Sequence, residues 1–108
     1  MKKLDSVKEN VSFRRAYHKG KSYACPIMSV YWRKNGLSKV RLGITVSKKL
    51  GSSPCRNRVR RIIRAAVWQN ADLLPQGCDV IIVARSAIKN CKSTDVEAAL
   101  RRRFGEGR

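Results

Sequence analysis

Between Glu9 and Asp72 the chain has no carboxylate, yet 15 of its 25 lysines and arginines fall in that stretch. The whole 108-residue protein has 7 acids and a formal net charge of +18. A chain so unbalanced repels itself unless a polyanion neutralises it, so the missing acids imply a partner. Other absences close off classes of function. A single histidine, His18, scattered acids and no glycine-rich phosphate loop leave little for a protein-only active site, because phosphodiester hydrolysis draws on paired carboxylates or histidines, often with metal ions. His18 reads as a polar residue on the exposed side of a helix. Cys25, Cys55, Cys78 and Cys91 lack the close pairs of a zinc site and read as reduced, small apolar fillers. No apolar run is long enough to span a bilayer, and the opening MKKLDSVKEN is polar rather than signal-like. The expectation is a cytoplasmic protein of one domain, residues 1–108, whose modest core shares its surface with function.

Against those absences, 43% of the residues are hydrophobic, and their periodicity predicts a fold rather than a disordered basic tail. Ser12 is placed to cap a first helix in which Phe13, Ala16 and Tyr17 share a face and Gly20 ends the run. A short strand is expected around Lys21 to Cys25. Residues 26–34 alternate, with Met28, Val30 and Trp32 on one side and Tyr31 and Arg33 on the other. Asn35-Gly36 predicts a hairpin. Residues 39–47 alternate again, opposing Val40, Leu42, Ile44 and Val46 to Arg41, Gly43, Thr45 and Ser47. After the loop LGSSP, Ser53 as N-cap and Pro54 at the first helical position begin a helix running to about Asn70. The apolar run DVIIVAR predicts an interior strand. Thr94 and Glu97 match a capping box for a last helix with Val96, Ala99, Leu100 and Phe104 buried. The order predicts an α+β fold with helices on one side of a small mixed sheet.

The central helix carries the strongest functional signal. Val59, Ile62, Ile63, Ala66 and Val67 form an apolar stripe, leaving the rest of the circumference to Arg56, Arg58, Arg60, Arg61 and Arg64. A helix face that only kept the protein soluble would mix signs, because like charges four residues apart are destabilising. This face does not mix, and arginine favours forked donation to phosphates. Nucleic acid is the expected partner. A second surface is expected where Phe13, Tyr17 and Tyr31 stack on unpaired bases while Arg33, Arg41 and Lys48 hold the backbone. Phe13 and Tyr17 fit a buried stripe equally well, and spacing does not separate the two. A ribosomal protein or general RNA chaperone would share the size and charge. A lipid-binding helix would carry bulky aromatics on its apolar face, where this one has isoleucine, valine and alanine.

The segment KKLGSSPCRNRVRRIIRAA resembles the signature of the bacterial ribonuclease P protein subunit: a lysine pair, a glycine loop, then an Arg-Asn-Arg helix followed by basic residues. SFRRAYHKGK is similar to that family's aromatic first helix, VRLGITVSKKLG to its strand into the loop, and GCDVIIVAR to its later strand. The resemblance implies a ribosomal protein S5 domain 2-like fold with a left-handed βαβ crossover, in a ribonucleoprotein that removes the 5′ leader from precursor tRNA. It also implies that the RNA component is the catalyst and mainly holds the Mg2+, and that the protein supplies no catalytic residue. One monomeric protein would bind each RNA, with catalytic RNA and precursor tRNA as partners rather than DNA or a membrane. Carried over by position, Lys48, Lys49, Arg56, Asn57, Arg58, Arg60, Arg61 and Arg64 would face the catalytic RNA. Phe13, Tyr17, Tyr31, Arg33, Arg41 and Ser47 would line the leader cleft. The chain departs from the family where Ser52, Ser53, Pro54 and Cys55 replace the common Gly-Asn-Ala-Val.

Overall fold

A run of β-branched residues such as VIIV, at positions 80–83, buries both faces of a strand only inside a sheet, and there it lies. The computed structural model describes residues 4–6, 20–36 and 39–105. Its strands are β1 (Leu4–Ser6), β2 (Lys21–Ala24), β3 (Met28–Lys34), β4 (Val40–Thr45) and β5 (Cys78–Ala84). Helix α1 (Ser53–Gln69) joins β4 to β5, and helix α2 (Ser93–Leu100) follows, continued by a π turn at Arg101–Gly105. The sheet order is β1-β4-β5-β3-β2. β5 runs antiparallel to β3 and parallel to β4, while β1 is parallel to β4 and β2 antiparallel to β3. This is the expected α+β class with a mixed sheet. The polar opening gave no sign of β1, and the helix expected from Ser12, with Phe13, Tyr17 and His18, lies outside the described residues.

The predicted hairpin does not form. β5 separates β3 from β4, so Asn35-Gly36 begins a connection whose ends stand two strand spacings apart, about 10 Å. Gly36 takes the left-handed conformation at φ 75°, which glycine adopts without a steric penalty. Asn35 ties the connection to β5: its N–H donates to the Gly77 carbonyl at 2.9 Å, and its Nδ2 donates to Asp79 Oδ1 at 2.9 Å and to the Lys39 carbonyl at 3.2 Å. The turn dipeptide is real, but the apolar strand claims both neighbours.

One sheet face makes the core. Met28, Val30 and Trp32 of β3, Val40 and Leu42 of β4, and Cys78, Val80, Ile82 and Ala84 of β5 meet Val59, Ile63, Ala66 and Val67 of α1 and Val96, Ala99 and Leu100 of α2. Ile62 is half-buried against the same core. Phe104, in the π turn, packs edge-on to Trp32 with ring centroids 5.0 Å apart.

Both helix caps lie earlier than expected, by one residue in α1 and by two in α2. Ser52 caps α1, accepting from the Cys55 N–H at 3.5 Å, so Ser53 opens the helix and Pro54 follows it. α2 starts at Ser93, and Asp95 rather than Glu97 reaches back, accepting the Lys92 N–H at 2.8 Å. Glu97 is engaged elsewhere. Asn70, buried at the end of α1, donates from Nδ2 to the Ala66 carbonyl at 2.8 Å and to Glu97 Oε1 at 3.1 Å, and its Oδ1 accepts from Arg101 Nε at 3.1 Å. The two helices are thereby joined by a satisfied polar knot. Among the described residues, no helix is long and apolar enough to cross a membrane.

Asn70→Ala is expected to lower stability by about 2 kcal/mol, because Glu97 and Arg101 lose a buried partner. Urea titration should show a lower midpoint with an unchanged slope.

Candidate nucleic-acid interface

With 3.6 residues per turn, positions 57, 60, 61, 64 and 68 fall within about 100° of arc on α1, opposite the stripe buried in the core. Asn57, Arg61 and Arg64 are exposed and Arg60 half-buried. Arg60 Nη1 donates to Asn57 Oδ1 at 3.0 Å, which fixes two members of the ridge relative to one another. Arg56 flanks the ridge, donating from Nη2 to Ser53 Oγ at 3.1 Å, while its Nε is buried without a hydrogen-bond partner. Arg58 is directed to the other flank and into the protein itself. Its Nη1 and Nη2 donate to the carbonyls of Lys89 at 3.1 Å and Cys91 at 2.8 Å. Arg58 therefore braces the segment after β5 against the helix, a role its place in the basic run did not reveal.

The loop into α1 presents Lys48 and Lys49 on a 3-10 turn, Lys48–Leu50, with both lysines exposed and Leu50 buried as its anchor. Gly51 follows at φ 130°, and a Cβ there would meet Cys55 Sγ at 3.4 Å. Ser52 and Cys55, the departures from the family pattern, thus serve the helix start through the cap and through this close packing. No acid lies in the first turn of α1, so Lys48, Lys49, Arg56 and the positive helix end share one sign.

The second face of the sheet holds the other candidates in register. Arg33, Asp79 and Arg41 form one row across β3, β5 and β4; Tyr31, Ile81 and Gly43 form the next; Ser29, Val83 and Thr45 the third. Ile81 is fully buried, with Tyr31 and Val83 packed against it. Tyr31 thus faces away from the main core, as expected, but its ring is partly engaged by an apolar floor. Ser47 is exposed just beyond β4, and its carbonyl accepts from the Leu50 N–H at 3.1 Å. Tyr31, Arg33, Arg41 and Ser47 are brought to this side of the sheet, whereas Phe13 and Tyr17 lie outside the described residues.

Asp79 is the group that sequence reasoning missed here. Arg41 grips it with two bonds, Nε to Oδ1 at 2.6 Å and Nη2 to Oδ2 at 2.7 Å. Burial alone would raise the Asp79 carboxyl, but the hydrogen bonds from Arg41 and Asn35 and the charges of Arg41 and Arg33 outweigh it, holding the carboxyl below its ordinary range. The row keeps one net positive charge, and Arg41 is oriented by Asp79. The signal was available: an acid opening an otherwise apolar interior strand needs a cation. Asp95 and Glu97 also bond within the fold, at the start of α2 and at the Asn70 knot. None of these three carboxylates is bonded to an arginine of α1. Burial raises the Cys78 and Cys91 thiols above their ordinary value, keeping both protonated at neutral pH.

The sequence pattern of the Ribonuclease P family matches residues 1–106. The chain is 37% identical over 106 residues to the ribonuclease P protein component of Clostridium acetobutylicum, covering 96% of this chain and 89% of that one. It is 38% identical over 99 residues to the counterpart from Clostridium botulinum strain Loch Maree, covering 91% and 89%. Among solved structures, the Staphylococcus aureus RNase P protein matches with a TM-score of 0.81 at 34% identity, covering 93% of this chain and 92% of that one. The RNase P protein from Thermotoga maritima gives 0.82 at 26% identity, covering 93% and 94%.

Asp79→Asn is expected to cost about 2 kcal/mol at neutral pH, the weight of a hydrogen-bonded charge. Because the folded carboxyl titrates below its unfolded value, its contribution is complete above the unfolded value of about 4 and is lost as pH falls through the folded one. Urea unfolding as a function of pH should therefore show the parent and the variant converging in acid.

Proposed function

The chain belongs to the ribonuclease P protein family, the protein subunit of an endoribonuclease of tRNA 5′ processing, and from that premise we propose that α1 docks it on the catalytic RNA while the second sheet face holds the 5′ leader of precursor tRNA. The observation that carries this reading is the ridge of Asn57, Arg60, Arg61 and Arg64, backed by a buried underside and met by none of the carboxylates bonded inside the fold. Guanidinium groups carried on one face of a seated helix match folded polyphosphate in charge and forked donation. Lys48, Lys49 and Arg56 extend it around the start of the helix, and Arg58 keeps the helix seated.

Along the sheet, a single-stranded leader would meet a stacking surface at Tyr31, with cations at Arg33 and Lys48 and a hydroxyl at Ser47. Arg41 is paired with Asp79, so it offers the leader a held guanidinium while the net positive charge of the row is one. Phe13 and Tyr17 belong to the same proposed cleft through the family likeness. The protein then extends the grip on substrate, and the RNA carries out the cut that leaves a 5′ phosphate on the mature tRNA. Mg2+ would supply the activated water and stabilise the leaving oxygen. Among the described residues no three potential ligands gather to hold such an ion, and Asp79, Asp95 and Glu97 are engaged within the fold. Its hard-oxygen ligands would come chiefly from the RNA, as the family likeness implies. The protein works as a cytoplasmic monomer, one per RNA, without DNA or membrane partners.

Reconstitution with the catalytic RNA at low Mg2+ should raise cleavage of precursor tRNA, and affinity for substrate should rise with leader length; no gain in either overturns the assignment. The double variant Arg61→Ala, Arg64→Ala should weaken binding to the RNA and lower the slope of log affinity against log salt by roughly 1.5.

A further inference from the structure

Trp68 is the one large hydrophobic residue left exposed among the described residues, at 48% of its surface. It sits on the ridge, one turn beyond Arg64 and two beyond Arg61, turned away from the core stripe. A shallow, mostly apolar groove of about 420 Å³ runs beside it, lined by Arg61, Arg64, Ala65, Trp68 and Gln69. The small Ala65 side chain keeps the floor of that groove low. The exposed part of the indole lies beside two guanidinium groups, a pairing of π face and positive charge that matches a base with its flanking phosphates.

We propose that Trp68, with Arg61 and Arg64, forms a stacking platform for one unpaired base of the catalytic RNA, resting on the reading that α1 faces that RNA. The charge of the ridge selects a polyanion, and the exposed indole selects an exposed π face on it. A base inside an A-form helix is stacked on both sides and its deep groove excludes side chains, so the occupant is a base turned out of a helix or held in a loop. Its flanking phosphates then fall to Arg61 and Arg64, and the Gln69 amide offers both a donor and an acceptor to the base edge. A second copy of this chain is disfavoured as occupant by the net charge of +18 that each carries.

The test uses the full-length protein and the catalytic RNA. Trp68→Ala should weaken RNA binding about tenfold with an unchanged salt slope, because a stack releases no counterion, and Trp68→Phe should recover most of the loss. Trp32 is buried, so in Trp32→Phe protein the indole emission reports Trp68; the RNA should quench it, and a plain duplex of equal phosphate content should not. Wild-type affinity in Trp68→Ala overturns the platform, as does equal quenching by duplex or a shift from dimer to monomer in sedimentation. If Arg61→Ala, Arg64→Ala also binds RNA normally, the RNA-facing reading of α1 falls with it. If only Trp68 is silent, that reading stands and the platform alone is wrong.

Discussion

Strand β5 is hydrogen-bonded along both edges, antiparallel to β3 and parallel to β4, and the placement of the functional groups follows from that insertion. Two adjacent parallel strands need a crossover between them, and α1 is that crossover. A crossover helix must lie flat on the sheet with its apolar stripe down, so its other side is presented to solvent as a rigid plane. The ridge of arginines is therefore positioned by the strand pairing and not by the arginines, which repel one another.

A protein with this excess of positive charge must decide where its few carboxylates go. Here Asp79, Asp95 and Glu97 each serve an internal joint: the row beneath the sheet face, the start of α2 and the knot between the helices. Using these three acids inside the fold keeps them away from the basic ridge. The arrangement stabilises the scaffold and preserves the field that a polyanion would feel, two demands that surface ion pairs would set against each other.

The sequence carried the elements better than their connections. Periodicity was enough for α1, because Val59, Ile63, Ala66 and Val67 repeat at helical spacing, and for β5, because nothing polar interrupts VIIV. It misjudged Asn35-Gly36, since a local turn signal says nothing about which strand, 44 residues away through the Asn35 to Asp79 bond, takes the place between its arms. The bracing role of Arg58 and the identity of the cation that Asp79 requires were illegible for the same reason: both depend on partners far along the chain, and a one-dimensional pattern shows only neighbours. Family likeness placed the basic residues on a shared segment, but the different orientations of Arg58 and Arg61 emerge only from the fold.

The bonds that Asp79 makes reach Asn35 and Arg41 across 44 and 38 positions. During synthesis, β3 and β4 leave the ribosome well before the strand that unites them, so the β2-β3 and β1-β4 pairs stay unjoined and the nascent basic block waits without a complete core. Assembly is then a late, nearly all-or-none event, governed by loop closure rather than by local turns. Chains cut short before Cys78 would display unpaired sheet edges, which makes them natural prey for proteolysis and aggregation.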